Sequence, residues 1–413
     1  MAAARGRVLD VTRLVLRVGR PVLTGIDRVE RAYLREFLDL PEPLFLLMKH
    51  GRRQWLLPRS AGTLLDAWLS DAAGLAPRGL VERLVARRGV PALAAWRLRR
   101  IALGGAMPDG VAALLARHLP GGGWYFNTGH ANAGAELLEA VRSVPGLRVA
   151  VLVHDVIPLD FPQFSRPHAV EEMGALVEAV VRHADLVICN SAATRDDLAR
   201  HARRYGRLPE SIVAHLGTEE VAPDPAALPE GVPLDRPYFL ALGTLEARKN
   251  HALLLDVWDK FHAEMPAAEV PHLFLVGRRG WRNEDFFARL DRSPHLGRTV
   301  HELPGLPDGA VAALMAGARA LLMPSLAEGY GLPVAEAAAM GVPVIAASLP
   351  VYLEFVGDYP VYVTQGDLYS WAARIQEQLG TDAAVHGAMR RCVPQVARKT
   401  WAGHFQSVLS KTC

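Results

Sequence analysis

Two series of strand-like apolar runs, separated by a stretch dense in proline, constrain the fold of this chain more than any other feature. The first series falls at residues 7–10, 44–48, 124–127, 148–154, 186–190 and 212–216, with helical stretches ending near 38 and spanning 170–182 and 192–202. The second falls at 238–242, 272–276, 300–303, 320–323 and 342–346, with a helix from about 251. Between them Pro223, Pro225, Pro229, Pro233 and Pro237 interrupt the pattern, so 219–237 reads as a linker. Strands alternating with helices build a mostly parallel sheet with helices on both faces. The expected fold class is therefore α/β, with two Rossmann-like domains facing across a cleft that holds the ligand. A chain of 413 residues also exceeds one ordinary core.

Composition narrows the function. Half of the residues are hydrophobic, which is globular, and a net charge of +3 gives no global pull toward nucleic acid. Cys189, Cys392 and Cys413 are scattered, with neither a CxxC nor a histidine pairing. That disfavours a disulfide framework or structural zinc and suits a reducing cytoplasm. The first residues lack a signal-peptide apolar core, and no apolar run reaches membrane-spanning length, so a cytoplasmic protein is expected.

The string Glu328-Gly-Tyr-Gly-Leu-Pro-Val-Ala-Glu336 carries the strongest chemical signal. It follows a buried strand and a Pro-Ser loop, and precedes the strand of Gly341-Val-Pro-Val-Ile. Glycines let the backbone approach a ligand, and the start of the next helix offers unpaired N–H groups that suit phosphate. A carboxylate beside them suits sugar hydroxyls. Acids are also favoured at helix starts for purely structural reasons. After the first strand of the second series, Leu242-Gly-Thr-Leu-Glu-Ala-Arg-Lys-Asn-His251 places Gly243 at a strand end. Arg248 and Lys249 follow where a diphosphate could lie. In the first half, Val153-His-Asp-Val-Ile-Pro158 puts His154 and Asp155 at a strand's carboxyl end. Thr24-Gly-Ile-Asp-Arg28 forms a loop after strand one, with a plain tight turn as the alternative. Asn127-Thr-Gly-His130, Cys189-Asn-Ser191 and Gly277-Arg-Arg-Gly-Trp281 also end strands, where Trp281 either stacks on a base or packs.

These strings together resemble the retaining glycosyltransferases of family 4, with the GT-B fold. The resemblance implies domains at 1–220 for the acceptor and 237–395 for a nucleotide-sugar donor, with a helix at 396–413 packing back on the first. It implies that Glu328 faces the donor sugar, that Glu336 holds the ribose, and that Arg248 and Lys249 neutralise the leaving diphosphate without a metal. Donor binding would involve Gly243, Arg248, Lys249, Glu328, Gly329, Tyr330, Gly331, Leu332 and Glu336. His154 joins Glu328, Arg248 and Lys249 as a catalytic candidate, and Gly25, Arg28 and Asp155 form an acceptor or phosphate loop. Ala247 stands where the commonest family form has proline, a departure of no chemical weight. The branch resembles bacterial mannosyltransferases of surface-polysaccharide assembly. GDP-mannose is therefore the leading donor, with UDP-glucose, UDP-galactose and UDP-N-acetylglucosamine as alternatives. The partner implied is a glycan or lipid-linked glycan acceptor, with no nucleic acid, no cofactor and no metal.

Other classes fit less well. Neither half holds a Gly-x-Gly-x-x-Gly, and no Gly-x-x-x-x-Gly-Lys-Ser/Thr occurs, which disfavours a dehydrogenase and a nucleoside triphosphatase. A sugar-nucleotide epimerase or a non-catalytic sugar-binding scaffold could share the fold. Residues 78–100 hold seven arginines and one acid, Glu82, interleaved with Leu80, Val81, Leu84, Val85, Leu93 and Trp96 and broken by Pro91. Such a surface suits peripheral contact with the anionic inner face of a membrane, or is a solvated helix face.

Overall fold

The computed structural model describes residues 5–20, 22–380 and 399–412. Of the three cysteines, Cys189 is buried, and Cys392 and Cys413 lie outside the described residues. The chain forms two separate sheets. The first contains β1 (Gly6–Asp10), β2 (Leu44–His50), β3 (Arg53–Pro58), β4 (Gly104–Ala106), β5 (Gly123–Asn127), β6 (Leu147–Val153), β7 (Leu186–Cys189) and β8 (Glu210–Val213). Its order is β4-β3-β2-β1-β5-β6-β7-β8. The second contains β9 (Tyr238–Leu242), β10 (His272–Val276), β11 (Val300–Leu303), β12 (Ala320–Met323), β13 (Val344–Ala347) and β14 (Val361–Val363), in the order β11-β10-β9-β12-β13-β14. All pairings are parallel except β2 with β3 and β3 with β4. Strands such as β1, β5 and β10 are buried along their whole length because helices cover both faces, which explains their apolar centres, with polar residues confined to the ends.

In each sheet the winding direction reverses once. The first turns at β1, which lies between β2 and β5, and the second at β9, which lies between β10 and β12. The loops leaving the carboxyl ends of those strands splay apart, and the crevice between them is where an open α/β sheet binds ligands. One apolar cluster runs from Leu9, Phe126 and Leu152 through Leu216, Tyr330 and Phe405 to Leu240, Leu321 and Phe355, so the halves share a core.

The expected strands 238–242, 272–276, 300–303 and 320–323 coincide with β9 to β12. Three strands were not anticipated: the antiparallel edge β3 and β4, and the short β14. The last strand of the first half lies earlier than expected, at Glu210–Val213 instead of 212–216. Leu216 instead accepts a hydrogen bond from Tyr330, and Ala214 one from His404. The proline-rich stretch is strapped to the second half, since Asp224 N donates to Gly309 O at 2.9 Å.

The last helix, Trp401–Thr412, crosses back to the first half. It buries His404, Phe405, Val408 and Thr412, which share one helical face. Phe405 meets Tyr33 edge-on with centroids 5.0 Å apart, and Lys411 pairs with Glu210 at 2.8 Å. His404 Nδ1 lies 3.1 Å from Ala214 O, which can only accept, so Nε2 takes the Tyr33 hydroxyl proton at 2.8 Å.

Burial of this imidazole pushes His404 down to about 4, and burial likewise lowers His130 to about 4 and His251 to about 3. Unfolded, each titrates near 6.5. Between about pH 6.5 and 4 the unfolded chain therefore binds more protons than the native one. The stability due to neutral histidines is complete above pH 6.5 and is lost as pH falls. Each group contributes about 1.4 kcal/mol per pH unit at most. Urea unfolding from pH 7 to 4.5 should show steep acid destabilisation, and His404→Gln should reduce the slope by about one proton.

Candidate functional site

The site assembles at the second sheet's reversal. The loop after β9 carries Gly243 to Asn250, and the loop after β12 carries Pro324 to Gly331. Leu326 N donates to Arg248 O at 2.7 Å, which joins the two loops through their backbones. Between them lies Glu328, whose side chain is 5% exposed. Arg248 Nη1 donates to Glu328 Oε2 at 2.8 Å and to Ala327 O at 2.8 Å. Lys249 Nζ and the Ser325 hydroxyl both donate to Oε1, the latter at 2.7 Å. Arg248 Nη2 also pairs with Glu246 at 2.6 Å. Gly243 lies against the Lys249 side chain, since a Cβ there would come 3.4 Å from Nζ.

Burial alone would raise the Glu328 carboxyl, but Arg248 and then Lys249 outweigh it and hold the group at about 2. Glu328 is thus a permanent anion that accepts hydrogen bonds and donates none. Burial raises Glu246, against the pull of Arg248 and Lys249.

The Gly329–Gly331 turn presses this site against the first half. A Cβ on Gly329 would lie 2.6 Å from His154 O and 2.8 Å from Asp155 Cβ, so only glycine fits there. Gly331 has φ +96 and caps the helix Leu332–Ala339; a Cβ on it would strike the Tyr352 ring at 2.4 Å. Tyr330 is an anchor: its hydroxyl donates to Leu216 O at 3.1 Å and its ring stacks on Phe355. Half-buried Leu332 faces Gly25, where a Cβ would come 3.4 Å from its Cδ1.

Arg28 and Glu336 meet across the cleft, Nη1 to Oε1 at 2.8 Å, and Arg28 Nη2 reaches Asp308 Oδ1 at 2.5 Å. Burial raises Glu336, with Arg28 opposing. His154 is buried, and its Nε2 lies 2.7 Å from Thr128 O, which fixes the proton on Nε2. Burial and neighbouring His130 hold His154 well below the usual imidazole range, so it is neutral. Burial raises Asp155 while Arg248 pulls it down, and its Oδ1 accepts from Ile157 N at 3.1 Å. The structure therefore brings His154, Asp155, Glu328 to Gly331, Arg248 and Lys249 into one cluster. Gly25, Arg28, Leu332 and Glu336 form a second contact along the same cleft.

Trp281 lies on the first half's 162–166 segment, its Nε1 donating to Phe164 O at 3.1 Å and Arg166 resting 5.1 Å over its ring. It packs between the halves.

Several residues at this junction went unread in the sequence. Residues 24–28, expected as a loop, instead open the helix Gly25–Asp39, where Asp27 closes the first turn by accepting from Thr24 N at 2.9 Å and receives Arg13 Nε at 2.7 Å and Arg17 Nε at 3.0 Å. Glu354, on the helix Pro350–Val356, caps the first-half helix Ala192–Ala202 through Ala192 N at 2.6 Å and Ala193 N at 3.0 Å. Thr194 donates to Gly329 O at 3.2 Å. The Ser191 cap, which accepts from Thr194 N, and the Thr24–Asp27 capping box had local signals. Among the described residues no group of three or more His, Cys, Asp or Glu is arranged to hold a metal ion.

Residues 228–385 match the family model described as glycosyl transferases group 1. That match lies over the end of the linker and the second half of this chain. Over 258 residues the chain is 30% identical to the serotype-specific mannosyltransferase WbdA of Escherichia coli, covering 58% of this chain and 31% of that protein. It is 26% identical over 261 residues to the O-antigen chain mannosyltransferase B of Escherichia coli, covering 62% of this chain and 67% of that one. The chain thus spans about a third of the length of the WbdA relatives it matches. The solved structure of Anabaena Alr3699/HepE in complex with UDP and glucose superposes over 99% of both chains, with TM-score 0.66 and 18% identity. Sucrose-phosphate synthase from Thermosynechococcus elongatus covers 98% of both, with TM-score 0.60 and 17% identity. The architecture is the two-sheet GT-B fold.

Removing the Glu328 charge leaves Lys249 without its ion-pair partner and Arg248 with Glu246 alone in a mostly buried site, at a cost of about 3 kcal/mol. Because the native carboxyl titrates near 2 and the unfolded one near 4.5, the stability its charge adds is complete above about pH 4.5 and is lost as pH falls toward 2. Glu328→Gln should lower unfolding stability by a constant amount from pH 8 to 5, and the gap to wild type should narrow below pH 4.5 in urea titrations.

Proposed function

We propose that this protein is a retaining, metal-independent glycosyltransferase. It moves a hexosyl group, mannosyl from GDP-mannose as first choice, to a glycan or lipid-linked glycan acceptor in polysaccharide assembly. The observation that carries the reading is the ionised Glu328, clamped by Arg248 and Lys249 at the sheet reversal of the half that matches the group 1 glycosyl transferases. The matches to two mannosyltransferases favour mannose. The likeness to HepE bears on fold alone.

In the proposed transfer the bond between the sugar's anomeric carbon and the diphosphate oxygen breaks, and the nucleoside diphosphate departs. The acceptor oxygen bonds to the anomeric carbon on that same face, and its proton passes to the departing phosphate oxygen. Arg248 and Lys249 stabilise the charge growing on the leaving group, from positions fixed before reaction. Glu328 accepts from sugar hydroxyls and opposes the positive charge developing on the ring. Glu336 accepts from the ribose in place of Arg28, and Gly25 and Arg28 line the phosphate and acceptor side. His154 and Asp155 bound the acceptor region, where closure excludes water that would hydrolyse the donor.

Arg248→Ala and Glu328→Ala, shown folded by circular dichroism, should each lose at least about 10²-fold in kcat, as removal of one preorganised charge partner does elsewhere. Full turnover by both variants would remove the reading.

Thermal unfolding against GDP, UDP, ADP, NAD and their sugar conjugates tests the donor. At a hundred times its dissociation constant a native-state ligand adds about 2.7 kcal/mol. GDP and GDP-mannose should raise Tm and NAD should not. A shift with UDP alone would keep the transferase and change its donor, and no shift with any nucleotide would favour a non-catalytic scaffold.

A further inference from the structure

The most exposed apolar side chains of the first half stand on a helix that meets the core only through half-buried Val85 and Ala86. Leu80–Ala86 has no buried residue, and its Leu80, Val81 and Leu84 are 79%, 60% and 60% exposed. Leu80 and Leu84 are one turn apart, and Val81 is adjacent, so the three form one outward patch. Exposed Arg78, Arg83, Arg87 and Arg88 surround it.

The local acid does not offset these charges. Glu82 turns inward, accepting from Arg97 Nη2 at 2.8 Å and Nε at 3.1 Å, and from the Arg78 backbone N–H. Arg83, Arg87 and Arg88 make no ion pair among the described residues. The next helix, Val90–Arg100, anchors the outer one, with Leu93, Ala94, Ala95 and Leu98 buried beneath. A solvated helix face would present its polar side outward and bury Leu80 and Leu84; here apolar and cationic groups share the outer face.

We propose that this helix docks the protein on an anionic lipid bilayer, with Leu80, Val81 and Leu84 entering the interface and Arg78, Arg83, Arg87 and Arg88 meeting lipid phosphates. Apolar burial and attraction to anionic headgroups act together in such a surface, and neither a neutral membrane nor an uncharged protein groove uses both. Position gives the contact a purpose. Val90 packs against Gly19, where a Cβ would come 2.8 Å from the valine Cβ, and Leu16 beside it is 57% exposed. The 16–20 segment leads from β1 toward the start of the helix Gly25–Asp39 at the cleft. The docking face therefore adjoins the acceptor side, and a lipid-linked acceptor would be reached from the plane of the bilayer. No helix among the described residues is long and apolar enough to cross a membrane, so the contact is at the surface.

The test is co-sedimentation of the full chain with vesicles, without donor or acceptor, so that its outcome is independent of glycosyl transfer. Vesicles of phosphatidylcholine with about 30 mol % phosphatidylglycerol should bind the protein, and pure phosphatidylcholine should not. Leu80→Ser with Leu84→Ser, and Arg83→Gln with Arg87→Gln and Arg88→Gln, should each weaken binding at least about tenfold. Both variants should keep the wild-type Tm, since none of these side chains is buried. Equal binding to neutral and anionic vesicles, no binding to either, or wild-type binding by both variants would overturn the proposal. Self-association in sedimentation velocity that the leucine variant abolishes would overturn it too, assigning the patch to a second copy of the chain.

Discussion

The candidate site depends on a carboxylate that the protein cannot bury alone. Glu328 is nearly sealed from water, and an unpaired charge there would cost several kcal/mol. Arg248, Lys249 and Ser325 supply the partners, and they come from loops brought together by the order β10-β9-β12. The geometry holds only if β9 is flanked by β12, if the two loops bond through Leu326 N and Arg248 O, and if glycine occupies Gly329 and Gly331. With no ligand bound, Glu328 is the counter-charge that keeps both cations in place. A diphosphate reaching the same cations would bring its own negative charge and loosen their hold on Glu328, freeing carboxylate lone pairs as the sugar arrives.

The two halves are tied at several points around the cleft. Glu354 caps a helix of the opposite half, Tyr330 and Thr194 join the Gly329 turn to the first half, and Arg28 bridges to Glu336 and Asp308. Trp281 and the returning helix Trp401–Thr412 add contacts at either end. These links differ in how a ligand would affect them. Glu354 and Tyr330 bond to backbone groups that no donor would displace. Arg28 occupies Glu336, the carboxylate proposed to hold the ribose, so donor binding and this bridge compete. Part of the donor's affinity for Glu336 would be offset by the lost ion pair, and Arg28 would be left free beside the phosphates while still near Asp308.

Much of this architecture was legible locally. Strands β9, β10 and β12 are short, mostly apolar runs bounded by glycine, proline or charged residues, so their limits could be read to the residue. Glu328, Arg248 and Lys249 stood out because each follows a strand end at a fixed spacing. What escaped has physical reasons. The edge pair β3 and β4 is antiparallel, polar at one end and glycine-rich, and lacks the buried run that marks the central strands. Glu354 caps a helix more than 160 positions away, and Arg28 meets Glu336 across the whole chain, so neither pairing has a signature in neighbouring residues. The outward turn of Leu80 and Leu84 was equally hidden. Amphipathic spacing shows that a face exists, and only packing shows which way it points.

The charge states at the cleft also bear on where the acceptor's proton goes in the proposed transfer. A base needs a pKa near the working pH to take a proton as a bond forms. Glu328, held at about 2 by two cations, is too weak. His154 is held well below the usual range, and its Nε2 proton is already committed to Thr128 O. Asp155 shifts the other way, yet Arg248 restrains it and Ile157 N occupies one oxygen. A phosphate monoester, by contrast, takes its second proton near pH 6. The departing diphosphate is intrinsically a stronger base than a carboxylate, and its basicity grows as its bond to the sugar lengthens. An acceptor hydroxyl that hands its proton to that oxygen must approach from the side the leaving group vacates. A carboxylate pinned ionised by the cations proposed to bind the diphosphate is thus consistent with the proposed retention of configuration.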